Sequence, residues 1–317
     1  MENPHQNKAK ISFRTYKHYL LAYAYLLDLE CPTYESIVQR TTEVQRNTNA
    51  DIERIKGLLF NAWNSEMLLN LPKYLSVDFV KFSNHWSPVQ SYYAIYLSLR
   101  SLMVAKNMQT HGDHTATLKD CVSNLISGQK LIPHPWNIVA TTNGYENVGC
   151  EALPEINSQE DPSLFSKNID KLKASACMFV RTTRDRMIEE QVRVWKVSNP
   201  LNSAKKRLKL PAGKRNEISI AVRSASIFDA LYRLRLRSNY KDADMFLLGS
   251  DSTQAQIYLD ALTKITDKTL MMLELYISQS MGKSVFKEAG REYLERTKPL
   301  ASISTNKIGI SARLTYI

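Results

Sequence analysis

Apolar residues recur at helical spacing through most of this chain. Residues 11–30, ISFRTYKHYLLAYAYLLDLE, hold that period without glycine or proline and predict a helix that Pro32 ends. A shorter helix is expected over TYESIVQRTTEVQ. A third runs through 49–71, with Asn49 as its cap and Pro72 as its stop. The clearest helix start is in 84–109: Ser87 is placed to cap, and Pro88 suits a first helical position where its missing N–H costs nothing. Val89, Tyr92, Tyr93, Tyr96, Leu99, Leu102 and Met103 then share one face. Further helices are expected over 114–126, 163–195, 216–238, 253–278 and 283–296. Residues 301–317 alternate in places and leave room for a short C-terminal strand.

The breaks in this pattern divide the chain. Residues 1–80 form an N-terminal helical extension, 81–298 a helical bundle, and 299–317 a tail. Two stretches interrupt the bundle. Residues 127–165 carry Pro133, Pro135, Gly144, Gly149, Pro154 and Pro162, and a loop of that length is often functional. The second, 200–215, contains the basic run KKRLKLPAGKR. Glycine (10) and proline (11) are scarce over 317 residues, so turns are few and elements long. With 44% apolar residues there is material for a real core. The fold class that follows is mainly α, a helical bundle.

Charge narrows the partner. The formal net charge is +11 and the isoelectric point about 9.3, a balance that favours a polyanion such as nucleic acid. Lys205, Lys206, Arg207, Lys209, Lys214 and Arg215 form the densest positive stretch, with no acid inside it, suited to a phosphate backbone. The cysteines (Cys31, Cys121, Cys150, Cys177) are too scattered for a zinc site, and His111 with His114 is only a fragment of one, so no metal and no cofactor is expected. The polar opening MENPHQNKAK does not read as a signal peptide, and no run of about 18 apolar residues suggests a membrane span. Cytoplasmic residence is the expectation. Neither GxSxG nor a P-loop pattern is present.

The segment LYRLRLRSNYKDADMF, residues 231–246, sets three arginines at every second position. As a strand it would turn Arg233, Arg235 and Arg237 to one side. As a helix it turns Arg233 and Arg237 together and Arg235 elsewhere, and the helical context on both sides favours this. Arg14 and His18 also sit one turn apart, a pairing more usual on a solvated face than at a phosphate. A tyrosine stripe such as Tyr92, Tyr93 and Tyr96 belongs more often to a core or interface than to a base-stacking site.

WSPVQSYYAIYLSLRSLMVAKNMQTHGDHTATL resembles the first long helix and following turn of the HEPN (higher eukaryotes and prokaryotes nucleotide-binding) superfamily, through Trp86, Tyr92, Tyr93 and His114. LYRLRLRSNYKDADMF is similar to that family's late arginine-rich helix, through Arg233, Arg237 and Tyr240. The resemblance covers roughly residues 84–280 and implies a dimeric nucleotide- or RNA-handling module of prokaryotic defence or toxin–antitoxin-like systems. The family's ribonucleases carry an arginine and, after four to six intervening residues, a histidine. That motif is missing here, which puts the usual cleavage in doubt.

Binding of RNA or other nucleic acid, through the basic run with Arg233 and Arg237, is therefore the leading expectation. A metal-independent ribonuclease with a rearranged site would draw on Arg237, His114 and Tyr240, with Arg233 and Asp244 beside them. A non-catalytic scaffold subunit of a protein complex is the third reading.

Overall fold

A computed structural model describes residues 4–150, 152–198, 210–241, 243–298 and 309–317, apart from the side chains of Val77 and of 240, 241 and 243. The chain begins with α1 (Pro4–Glu30), α2 (Tyr34–Arg40) and α3 (Ile52–Asn70), then α4 (Val77–Ser83) and α5 (Ser87–Ala105). It continues with α6 (His114–Asp120), which runs on into a π-helical turn over Cys121–Gly128, and α7 (Ile169–Ser198). Last come α8 (Lys214–Ala221), α9 (Ile227–Leu236), α10 (Ala243–Leu248), α11 (Ser252–Met281), α12 (Lys283–Thr297) and α13 (Ile310–Arg313).

Helix α11 is the axis. From Tyr258 to Met281 residues on all its sides are buried, as expected of a helix surrounded by others. Helix α5 runs against it and is nearly as enclosed, and α3 covers α5. Helix α1 packs on α7 and α11. The division expected at residue 80 does not coincide with a break in the core: Phe13, Leu20, Ile55 and Trp63 belong to the same apolar cluster as Leu99, Phe179 and Ile265.

Predicted helices and observed ones agree in type and differ at their ends. Asp51, not Asn49, caps α3, accepting from the Arg54 N–H at 3.1 Å. Trp86 is the cap residue of α5, so Ser87 and Pro88 are its first two helical residues. The stretch 216–238 is two helices. Val222 turns extended, and Ala225–Ser226 form a strand before α9 begins. The long excursion at 127–165 contributes the other two strands, β1 (Val139–Thr141) and β2 (Gly144–Glu146). With β3 (Ala225–Ser226) they make an antiparallel sheet ordered β2-β1-β3, in which Ala140 pairs with both Tyr145 and Ala225. Arg184 of α7 ties this corner down. Its Nη2 donates to the Ser219 and Val222 carbonyls at the end of α8 (2.6 and 2.9 Å) and to Thr142 (2.8 Å).

The expected C-terminal strand is corrected where the chain is described. Residues 301–308 lie outside the described residues, and Ile310–Arg313 form one helical turn. The turn carries Arg313 into a buried carboxylate cluster between α3 and α11. All five guanidinium N–H donors are used: Nε and Nη2 on Glu274 (2.8 Å each), Nη1 and Nη2 on Glu66 (2.6 and 2.8 Å), and Nη1 on Asp267 (2.8 Å). Trp63 Nε1 donates to Glu274 at 2.8 Å, and the Tyr34 hydroxyl donates to Asp267 at 2.7 Å. Burial works against the Arg313 charge, but Glu274 and Glu66 outweigh it and hold the guanidinium protonated. One cation faces three carboxylates, and burial pushes the Glu66 carboxyl above its ordinary range.

Removing Arg313 strands those carboxylates. Arg313→Met is expected to lower unfolding free energy by about 3–5 kcal/mol. Glu66→Gln should cost less, because it removes one of the surplus negative charges and keeps an acceptor. Urea titrations of the variants measure both, and a wild-type midpoint for Arg313→Met would show that the cluster does not hold the fold.

Candidate nucleic-acid interface

Helix α9 starts at a fixed point. The Asp229 carboxylate accepts from the Ser226 N–H (2.8 Å) and hydroxyl (2.9 Å), and Arg223 holds its other oxygen at 2.6 Å. From there the helical period separates the three arginines onto two flanks.

On the flank toward α1 and α7, Arg233 and Arg237 converge on one phenol. Arg233 Nη2 donates to Tyr16 Oη at 2.8 Å and Arg237 Nη1 at 3.0 Å. Their guanidinium carbons lie 5.5 and 5.1 Å from the Tyr16 ring centroid. Arg233 Nη1 also donates to the Thr182 and Thr183 hydroxyls at 3.0 and 3.1 Å. Every described hydrogen bond of Arg233 thus ends on a hydroxyl oxygen. Its position is fixed while its charge is not cancelled at contact, and it is only partly buried.

On the flank toward α5 and α6, Arg235 Nη2 donates to Tyr93 Oη at 2.9 Å, with the guanidinium 5.3 Å over that ring. His114, the first residue of α6, lies beside them. Its Nδ1 is 2.9 Å from Tyr92 Oη; its ring is 4.3 Å from that of Tyr96 and nearly parallel to that of Tyr232 at 5.4 Å. Burial pushes the imidazole below its ordinary range, Arg235 and Arg100 push the same way, and Asp113 opposes them. Neutral His114 therefore has a lone pair for the Tyr92 O–H or for a substrate proton at neutral pH.

The residues singled out from sequence are thus distributed. Arg233 and Arg237 come together, as the four-residue spacing requires. His114 is matched with Arg235, while Arg237 belongs to the Tyr16 flank. Tyr240 lies in the π-helical turn Arg237–Lys241, and its side chain is outside the described residues. Asp244 is exposed and 3.7 Å from His5. In the basic run, Lys205, Lys206, Arg207 and Lys209 lie outside the described residues. Lys214 pairs with Glu217 at 2.7 Å and Arg215 with Glu189, so the described end of the run is matched by acid. His18 is buried between the Glu160 carbonyl (2.7 Å) and Ser175 (3.1 Å), while Arg14, one turn earlier on α1, is exposed. His111 pairs with Asp120 at 3.0 Å. Among the described residues no three His, Cys, Asp or Glu side chains are grouped to hold a metal ion, and no helix is long and apolar enough to cross a membrane. Sequence reasoning passed over Tyr16, Thr182, Thr183, Arg100 and Tyr232. Only Tyr93 and Arg100, seven apart on α5, carried a signal of shared helical face.

No protein-family model, curated protein or solved structure matches this chain, so the interface is read from its own geometry.

Three histidines give the fold a pH signature. Burial depresses His18, His114 and His134 alike. Below about pH 6.5 the unfolded chain takes up protons that these folded imidazoles refuse, so stability is expected to fall as pH drops through that value. The urea midpoint at pH 5.5 should lie below that at pH 7.5, and His18→Gln should flatten the difference. Equal midpoints at the two pH values would refute the depressed imidazoles.

Proposed function

We propose that this chain is a HEPN-like helical protein that binds RNA, another nucleic acid or a nucleotide through the arginine face of α9. The observation that carries the reading is the Arg233–Tyr16–Arg237 group. Two guanidiniums are held side by side on one phenol oxygen, a positive arrangement suited to a phosphate. The net charge of +11 supports it by drawing a polyanion to the surface. The resemblance at Trp86, Tyr92, Tyr93 and His114 extends the proposal to a role in a prokaryotic defence or toxin–antitoxin-like system, as a homodimer or a subunit of a complex.

A second reading, a metal-independent ribonuclease, is favoured by one observation: His114 is hydrogen-bonded to Tyr92 and flanked by Arg235 and Arg100. A neutral imidazole beside guanidiniums has the parts for proton abstraction and phosphate stabilisation. The purely scaffolding alternative would leave the α9 arginines to meet acidic protein.

Fluorescence polarisation of a labelled RNA oligonucleotide tests binding. Arg233→Ala should weaken it and reduce the slope of log affinity against log salt by about 1, with the unfolding midpoint recorded alongside. Affinity and salt slope equal to wild type would refute the role of α9. Cleavage of the same RNA in EDTA, lost in His114→Ala, would promote the ribonuclease reading; intact RNA under tight binding would dismiss it.

A further inference from the structure

The flank of α9 toward α5 and α6 contains a group whose bonding is incomplete. Arg100, on α5, has its guanidinium 5.8 Å from the Tyr96 ring centroid, and its Nε is buried with no hydrogen-bond acceptor. A buried guanidinium N–H without an acceptor is costly, and water, an ion or a ligand oxygen can satisfy it; Arg184 and Arg235 each carry a buried Nε in the same condition. The surroundings fit a ligand. Gln90, Tyr93, Leu97 and Arg100 are the half-buried residues on a helix otherwise enclosed, so the group opens to the surface along this line. Half-buried His114 and Tyr232 continue the aromatic wall, with Tyr93 and His114 rings 5.8 Å apart. The nearby acids are already engaged: Asp113 accepts from the Ala116 N–H at 2.9 Å, and Asp229 is held by Arg223 and Ser226.

We infer that this cage is a nucleotide subsite. A phosphate oxygen accepts from the Arg100 guanidinium, and an unpaired base lies against the rings of Tyr93, His114 and Tyr232. The inference rests on the reading that α9 faces nucleic acid, and gives that reading a second contact. A helix with its side chains is about 10 Å across. A single strand crossing α9 therefore meets the Arg233–Arg237 pair on one flank and the cage on the other, whereas bases paired in a duplex cannot lie on the rings.

The test is a polarisation titration of a labelled single-stranded RNA and its duplex against wild type, Arg100→Met, Tyr232→Leu and Arg233→Ala, with AMP as competitor. Arg100→Met and Tyr232→Leu are expected to weaken single-strand binding about tenfold or more and to leave duplex binding unchanged. Arg100→Met should keep the wild-type urea midpoint, since it removes a donor that had no acceptor. AMP displacing the strand from wild type but not from Arg100→Met would support a free nucleotide as the occupant, and AMP without effect would support a strand unit. Wild-type affinity in Arg100→Met and Tyr232→Leu, with Arg233→Ala weakened, overturns the cage and leaves the α9 reading standing. Wild-type affinity in all three variants overturns both. Equal loss of duplex and single-strand binding overturns the unpaired base.

Discussion

The buried guanidinium of Arg313 is the constraint on which the arrangement of the bundle turns. It bonds Glu66 of α3 and both Glu274 and Asp267 of α11, helices that otherwise meet through apolar side chains and the Trp63–Glu274 hydrogen bond. An apolar seam between two helices tolerates sliding; five charge-assisted bonds in a fixed fork do not. The cluster therefore sets the register of α3 against α11 and fixes the segment 309–317 onto both. Because α5 lies against α3 and α11 and α1 against α11, the positions of Tyr93, Arg100 and Tyr16 follow from that register.

The contrast among the enclosed arginines explains why one set is structural and another is offered as an interface. Arg313 is fully buried and meets carboxylates with every donor. Arg184 is 1% exposed and ends on carbonyls and a hydroxyl, where it secures α8 and the turn after β1. Arg233 is bonded only to hydroxyls and remains partly exposed. A carboxylate partner cancels the charge and leaves little field outside. A hydroxyl partner supplies a dipole, which orients the guanidinium and leaves its monopole in place. Geometry is thereby prepared in advance of the ligand, which reduces the ordering cost of binding.

Much of the fold was legible because long helices with few breakers advertise their period. The 231–246 segment shows this at the level of side chains: helical spacing alone places Arg233 with Arg237 and Arg235 apart, and Tyr16 and Tyr93 are where those two directions lead. What was not legible depends on residues distant in sequence. Arg313 and Glu66 are 247 positions apart, so nothing in an alternating tail announces a helical turn that must deliver a cation into a core. Arg235 and Tyr93 are 142 apart, which is why His114 was grouped with Arg237 from sequence and stands with Arg235 in space. The short sheet escaped notice because strands of two and three residues are too brief to establish a period.

The surplus of positive charge acts at two ranges. Several surface cations, such as partly buried Lys214 and exposed Arg215 and Arg193, sit on neighbouring glutamates. Such pairs contribute little to stability and cancel the local field. They leave the net charge of +11 untouched, since each pair sums to zero, and at distances comparable to the Debye length of about 8 Å the unpaired remainder governs encounter. At contact distance the total no longer matters, and the guanidinium that counts most is that of Arg233, whose hydrogen bonds end on hydroxyls. A polyanion is therefore drawn by the whole surface and held at α9, so high salt should weaken the attraction before it disturbs the Tyr16 and Tyr93 contacts that keep the arginines in place.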